Sequence, residues 1–445
     1  MALRIVATAP EPALVTLPWQ VPLDEWEGDF LVPLPRGLSR HVVRFVRLDN
    51  VMYAVKETRE PIAWREYRLL RDLRRVRVPA VEPVGIATGR RSVEGEEIEP
   101  CLLTRHLGSS MPYREMFSRG VRADTMHKLV DALVVLLNKL HLAGFFWGDC
   151  SLSNTLFRRS AGEFAAYLVD AETGELHPQL SDGQRSYDLD IATGNVFAEM
   201  LDLQAGGLLT EDVDAFETVT GLQDRYERLW SELTGVEDFT TDEMWRIQLR
   251  IERLNELGFD VDELDIVTDW DGATVRLQPK VVDAGHHQRR LQGLTGLDVE
   301  DNQARRLLND LDAFAAHYDL QGEDQAMVAH RWLTEILEPI MLMAPDDRRS
   351  PVEFAEIFHE ILEHRWYLSE QAGHEIGIFE TARNYFASQL PEAPGARLSD
   401  AQLREPRRAI LSTAKPQRQA GGSEEMETTV AGDEEQRVSA AKTAR

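Results

Sequence analysis

Phe145-Phe146-Trp147-Gly148-Asp149-Cys150-Ser151-Leu152-Ser153-Asn154 is the stretch on which the reading of this chain turns. Before it, Met126, Leu129, Val130, Leu133, Leu137 and Leu140 recur at helical spacing, which predicts a core helix running from about Asp124 to Gly144. After it, Thr155 to Phe157 and Ala165 to Val169 read as two short strands, the second ending at Asp170. A strongly patterned loop is therefore expected between a buried helix and a hairpin.

Upstream, Phe30 to Lys56 reads as three short strands: an apolar segment ending in Pro33 to Pro35, then His41 to Leu48, then Val51 to Lys56, with a tight turn at Asp49-Asn50. Pro61 stands where a helix can begin, and Trp64 to Leu70 continues it with apolar residues at helical spacing. Further strands are predicted at Val81 to Ala87 and Ile98 to Leu107, completing a sheet of about five strands. Downstream, a helix is expected from about Ile191 to Leu203, Gly206-Gly207 breaks the chain, and a domain boundary is placed near residues 205 to 235. The second half is mostly helical, with one hairpin around Asp271-Gly272, a helix start at Ser350-Pro351 and a long periodic stretch from Phe354 to Leu390. From about Lys415 the residues become polar and aromatics vanish, which predicts a disordered tail over 415–445.

Composition bounds the function. The chain has 445 residues, 49 Lys+Arg and 76 Asp+Glu, hence a formal charge of −27, and 43% hydrophobic residues. That is enough apolar material for two cores, and the negative excess repels nucleic-acid phosphates. No nucleic-acid partner is expected, and any phosphate-bearing ligand must be held locally. The longest apolar run, Ala132 to Leu137, is far too short to cross a bilayer, and Pro10-Glu11-Pro12 interrupts any signal-peptide core, so a cytoplasmic protein without a membrane span is expected. Two cysteines, Cys101 and Cys150, exclude a disulfide scaffold and the cysteine-rich zinc motifs.

Transferring the γ-phosphoryl group of ATP needs a cation on the phosphates, carboxylate and amide oxygens on magnesium, and an oriented nucleophile. The chain supplies these in order. Lys56 ends the strand Tyr53-Ala54-Val55-Lys56, from which an ammonium reaches the phosphates. Glu66 on the next helix can pair with it, although the interval is short and keeps Glu57 and Glu60 open as partners. Asp149 can take a carboxylate to a substrate hydroxyl, while Asn154 and Asp170 can hold magnesium.

These stretches, Tyr-Ala-Val-Lys at 53–56, Arg-Glu-Tyr-Arg-Leu-Leu at 65–70, the loop ending at Asn154 and Leu-Val-Asp at 168–170, resemble the protein-kinase-like superfamily. Gly148-Asp149 followed by Ser151 and Asn154, without a preceding Arg, looks like the lipopolysaccharide kinase branch, whose members phosphorylate heptose or Kdo sugars. The pairing with a helical second half resembles an uncharacterised bacterial family. The resemblance implies an α+β, two-lobed protein-kinase-like fold at 1–220 (N-lobe about 20–107, C-lobe about 108–220), then a mostly α-helical C-terminal domain of unknown function at 221–400. It implies an ATP- and Mg2+-dependent phosphotransferase acting on a hydroxyl of a carbohydrate or other small molecule.

Within that resemblance, the phosphate loop has only Gly37, with Arg36, Ser39 and Arg40 compensating, and adenine is expected against Thr104-Arg105-His106-Leu107. Asp188 resembles the buried Asp that steadies the kinase catalytic loop, with a helix N-cap as the other reading. Trp147 stands where kinases usually have His, and Ala171-Glu172 replaces Phe-Gly after the metal-binding Asp. These departures favour a second hypothesis, a nucleotide-binding pseudokinase or scaffold whose C-terminal domain engages a protein partner.

Other motifs are weaker. His286 to Arg290 makes a basic island at a helix start, which suits either an anion or pairing with neighbouring carboxylates. His359 and His364 are five apart where one-face zinc binding needs four. Thr428 and Thr429 sit beside glutamates in the tail, either as phosphoacceptors or as plain linker.

Overall fold

Alternation along the strand Val51–Glu57 settles where the first half puts its lysine. Tyr53 and Val55 are buried on one face of the sheet, so Lys56 points to the other. A computed structural model describes residues 2–34, 41–49, 51–117, 121–240, 245–268 and 274–389. Gly37, Ser39 and Arg40, the turn at Asp271-Gly272 and the tail with Thr428 and Thr429 lie outside the described residues.

The strands β1 (Arg4–Ala7), β2 (Leu31–Val32), β3 (Val42–Leu48), β4 (Val51–Glu57), β5 (Pro83–Thr88) and β6 (Cys101–Arg105) form an antiparallel six-stranded sheet in the order β1-β5-β6-β4-β3-β2. The sixth strand is β1, an N-terminal edge added to the five expected from the sequence. One face is covered by the segment from Pro12 to Trp26, whose Leu14, Leu17, Trp19, Leu23 and Trp26 pack on Tyr53, Val55, Val84 and Leu103. Arg90 fastens this cover: its buried guanidinium donates to Trp19 O at 3.1 Å, Val21 O at 2.5 Å and Glu57 Oε2 at 2.5 Å. The other face carries α1 (Glu60–Arg75), which begins with Pro61 in its first turn and buries Ala63, Glu66, Tyr67, Leu70 and Leu73.

The second lobe is built on β7 (Ser110–Pro112), α2 (Tyr113–Phe117), α3 (Ala123–Leu142), β8 (Phe145–Phe146), β9 (Thr155–Ser160), β10 (Glu163–Leu168), β11 (Glu175–Leu176), α4 (Asp182–Ala205) and α5 (Ala215–Thr234). Its core holds Leu129, Leu133, Leu137 and Leu140 of α3, as the periodicity predicts. Helix α4 starts at Asp182, nine residues earlier than expected, because Ser181 and Gln184 close a reciprocal capping box. The expected division at residue 220 falls inside α5, whose buried Leu222 and Tyr226 join the same core. The C-terminal end of the same helix also meets the second half, where Leu233 packs with Leu254 and Phe259, so α5 bridges the two.

The remainder contains β12 (Glu237–Thr240), α6 (Trp245–Glu256), β13 (Phe259–Thr268), β14 (Thr274–Ala284), α7 (His286–Thr295), α8 (Asp301–His317), α9 (Gln325–Trp332), α10 (Glu338–Met341), α11 (Pro351–Ala372) and α12 (Ile378–Ser388). In the hairpin β13 and β14 pair from Phe259↔Ala284 to Thr268↔Val275, and β12 adds a third strand. Pro279 lies within β14, opposite Leu264. The pairing of β12 ends at Leu277, so β14 has a partner on one side only around the proline, where a strand tolerates one. The periodic stretch from Phe354 to Leu390 is two helices, because Gly373 takes a left-handed φ of 70° and ends α11. A second core surrounds Trp332, with Leu307, Leu311, Ile340, Phe354, Phe358 and Ile361.

Candidate active site

Lys56 Nζ lies 2.7 Å from Asp170 Oδ2, 3.1 Å from Glu66 Oε2 and 3.1 Å from Glu172 Oε2. The strand end, the helix on its inner face and the residues after β10 thus meet around one ammonium. Of the three carboxylates open as partners of Lys56, Glu66 makes the contact. Glu57 instead accepts from Arg90 and from the Leu23 amide at 3.0 Å, and Glu60 is exposed at the start of α1. Burial works against the charge of Lys56, but the three carboxylates outweigh it and hold the amine protonated above its ordinary range. Burial, with the nearby charge of Asp170, pushes Glu66 up to about 8 against the pull of Lys56.

On the second lobe, Asn154 Nδ2 donates to Asp149 Oδ2 at 3.0 Å and to the Asp149 carbonyl at 2.9 Å. That use of the amide NH2 leaves its oxygen as the group to face a cation. The Val169 amide donates to the Asn154 carbonyl at 3.0 Å, tying the start of the hairpin to its end beside Asp170. The Asp170 carboxylate is oriented by the Glu172 amide, 3.0 Å from its Oδ1.

Helix α4 holds the loop. Asp188, fully buried, accepts from the Trp147 amide at 2.7 Å, the Gly148 amide at 2.8 Å and the His141 ring at 3.0 Å. It lies inside α4, and Ser181 is the N-cap, so the capping alternative for Asp188 falls away. Asn195 donates to Asp149 Oδ1 at 3.3 Å and to the Cys150 carbonyl at 3.1 Å. Glu199 accepts from the Leu152 and Ser153 amides at 2.7 and 3.1 Å. Gly148 has a φ of 73°, a conformation that costs a side-chain-bearing residue about 1 kcal/mol or more.

Trp147 does not merely replace a histidine. Its indole nitrogen donates to the Asp170 carbonyl at 3.0 Å, and its ring is fully buried. Sequence reasoning missed Asn195, Glu199 and the contact of Glu172 with Lys56. Residues 188, 195 and 199 share one face of α4, and the Ser181–Gln184 capping signal was the cue to extend that helix far enough to see it.

The connector at 104–107 is partly engaged. The Arg105 amide donates to Glu82 O at 2.8 Å and the His106 amide to Met52 O at 2.9 Å. The basic island at His286 is not open to an anion at its amides: Gln288 N donates to Asp301 Oδ1 at 3.1 Å, so a carboxylate of the chain already caps α7. His364 binds Asn384 at 2.8 Å, away from any zinc-type pairing with His359. No helix among the described residues is long and apolar enough to cross a membrane.

Among solved structures, a WaaP in complex with acyl carrier protein is similar at 18% identity with a TM-score of 0.34, covering 57% of this chain and 99% of that one. The BubR1 kinase domain is similar at 12% identity with a TM-score of 0.27, covering 38% of this chain and 58% of that one. No curated protein matches. Residues 228–390 match the model of a domain of unknown function, DUF4032, and residues 44–193 that of the lipopolysaccharide kinase (Kdo/WaaP) family. The chain thus joins a segment that matches the lipopolysaccharide kinase (Kdo/WaaP) family model to one that matches DUF4032.

Proposed function

We propose that the chain is an ATP- and magnesium-dependent phosphotransferase acting on a hydroxyl of a sugar or other small molecule. The observation that carries this reading is the meeting of Lys56, Glu66 and Asp170 within hydrogen-bond distance, with Asp149 and Asn154 joined at the other end of the hairpin. The family match of residues 44–193 supports it.

Each side chain has a role that its surroundings favour. Lys56 binds phosphate oxygens, exchanging its contacts with Asp170 and Glu172 for them while Glu66 keeps it extended. Asp149, oriented by Asn154 and Asn195, accepts the hydrogen bond of the acceptor hydroxyl and then its proton as the new O–P bond forms and the bond from the γ-phosphorus to the β,γ-bridging oxygen breaks, with ADP leaving. Asp170 and the Asn154 amide oxygen are hard oxygen donors of the kind magnesium takes, and they would hold it. Magnesium, when bound, neutralises charge on the phosphate groups. With the Arg105 and His106 amides engaged, adenine is expected to use the Leu107 amide of the connector. Gly37, Ser39 and Arg40 remain the proposed phosphate loop.

The test measures ATP binding and ATP consumption separately in the wild type, Asp149→Ala and Asp170→Ala. Removing one electrostatic stabiliser of the transferring group is expected to slow turnover by a factor of about a hundred or more. Unchanged turnover in folded Asp170→Ala contradicts its metal role. A second reading, a nucleotide-binding scaffold that engages a protein partner through its C-terminal half, is favoured by the hold of three carboxylates on Lys56. It predicts tight binding with no consumption for any acceptor.

A further inference from the structure

The hairpin β9–β10 connects Asn154 to Asp170, and its outer side chains end in carboxylates of the C-terminal half. On one face, Arg158 and Tyr167 are diagonal neighbours, since Arg158 pairs with Ala165 and Tyr167 with Leu156. Both donate to a single oxygen, Glu300 Oε1, at 2.6 and 2.5 Å. Glu300 is buried at the N-cap of α8, where Gln303 accepts from its amide, so its position is set by the second half. On the other face, Arg159 meets Glu360 at 2.7 Å and Glu356 at 3.4 Å, and at the tip the Ala161 amide donates to Glu356 Oε2 at 2.7 Å. Arg158 also donates to the Gly108 carbonyl at 3.0 Å, and the Ser109 hydroxyl donates to Glu353 at 2.6 Å. The second half therefore grips both the hairpin and the segment that follows the adenine connector.

Glu353, Glu356 and Glu360 lie three and then four residues apart on α11, one stripe of one helix. Ion pairs fully in water contribute little, but these are largely removed from it, with side-chain exposures of 13% and 9% for Arg158 and Glu300. Removing one partner strands the other in a site that cannot solvate it.

We propose that Glu300 is a positioning residue of the phosphoryl-transfer site, acting through Arg158 and Tyr167 to fix the hairpin whose ends present Asn154 and Asp170. The proposal rests on the function given above and extends it by making the DUF4032 half part of the working enzyme. A displacement of about 1 Å at such a site is enough to cost on the order of a hundredfold in rate.

The experiment uses the full chain with Glu300→Ala, Glu300→Gln and Tyr167→Phe, reading ATP turnover with magnesium and hydrogen exchange of the amides of β9 and β10. Glu300→Ala is expected to lower kcat at least tenfold with KM for ATP within threefold of wild type. Glu300→Gln, whose amide oxygen still accepts from both donors, is expected to recover most of that loss. Tyr167→Phe, which deletes one hydroxyl and is expected to fold, should lower kcat about threefold with KM unchanged. Wild-type kcat in folded Glu300→Ala or in Tyr167→Phe overturns the proposal, as does a loss that appears only in KM. Should the wild type transfer no phosphate, the function above fails and hydrogen exchange decides the brace: faster exchange confined to β9 and β10 in the variants supports it, and unchanged exchange overturns it.

Discussion

The indole nitrogen of Trp147 donates a hydrogen bond to the backbone carbonyl of Asp170, 3.0 Å away. A residue at the start of the loop thereby fixes the backbone of the carboxylate that reaches Lys56 from the far end of the hairpin. The substitution that looked like a loss in the sequence is a tie between the two ends of the site. Replacing Trp147 by Phe keeps an aromatic ring but deletes the donor and leaves a small void. The expected cost is about 2 kcal/mol in urea unfolding, together with weaker metal-dependent turnover. A variant as stable as the wild type removes this contact from the account.

Asp188 accepts from the amides of Trp147 and Gly148 and from the His141 ring. Asn at this position offers one acceptor oxygen and turns an NH2 group toward donors. Asp188→Asn is expected to lose about 3 kcal/mol of stability, measured by urea unfolding, with faster hydrogen exchange at the Trp147 and Gly148 amides. A loss below about 1 kcal/mol contradicts the role given to this carboxylate.

Glu66 yields a pH prediction with a definite sign. Its carboxyl, ordinarily at 4.5, is pushed up to about 8 by burial and by Asp170. The folded chain then keeps a proton that the unfolded chain releases, so this group's contribution is fully present below pH 4.5 and is lost as the pH rises through 8. Glu66→Gln has no such proton to lose. Its stability relative to wild type should improve by on the order of 3 kcal/mol between about pH 5 and 8.5, followed by urea unfolding at each pH. A constant difference across that range refutes the raised value.

Both thiols are fully buried, and burial pushes Cys101 up to about 12 and Cys150 well above its usual range. Neither should react with an alkylating reagent at pH 8 in the native protein, and both should react in denaturant, as followed by mass spectrometry. Rapid native labelling of either would show that the core around it opens.

Much of this arrangement was legible because its residues sit at the ends of elements that the sequence pattern shows. Lys56 at a strand end, Glu66 on the next helix, and Asp149, Asn154 and Asp170 around a hairpin are separated by elements whose periodicity shows in the chain. What was hidden needs the third dimension. Glu172 stood out only as a departure, because nothing local shows that it reaches Lys56, 116 residues away in sequence. Asn195 and Glu199 belong to a helix face that becomes visible once the helix is started at Ser181. The grip of Glu300 on Arg158 spans 142 residues, and no short pattern encodes a contact at that separation. Where one half gives way to the other is hard to read for a related reason: the apolar face of α5 packs on α3, far upstream, and its end packs on Leu254 and Phe259.

Phosphorus NMR of the wild-type chain with ATP, magnesium and a panel of sugar and other small hydroxyl acceptors tests the central claim most directly. The account predicts that the γ-phosphorus resonance of ATP is replaced by that of a phosphate monoester on one class of acceptor, and that Asp149→Ala and Asp170→Ala do not produce it. ATP left unchanged with every acceptor, or converted only to inorganic phosphate, would contradict it.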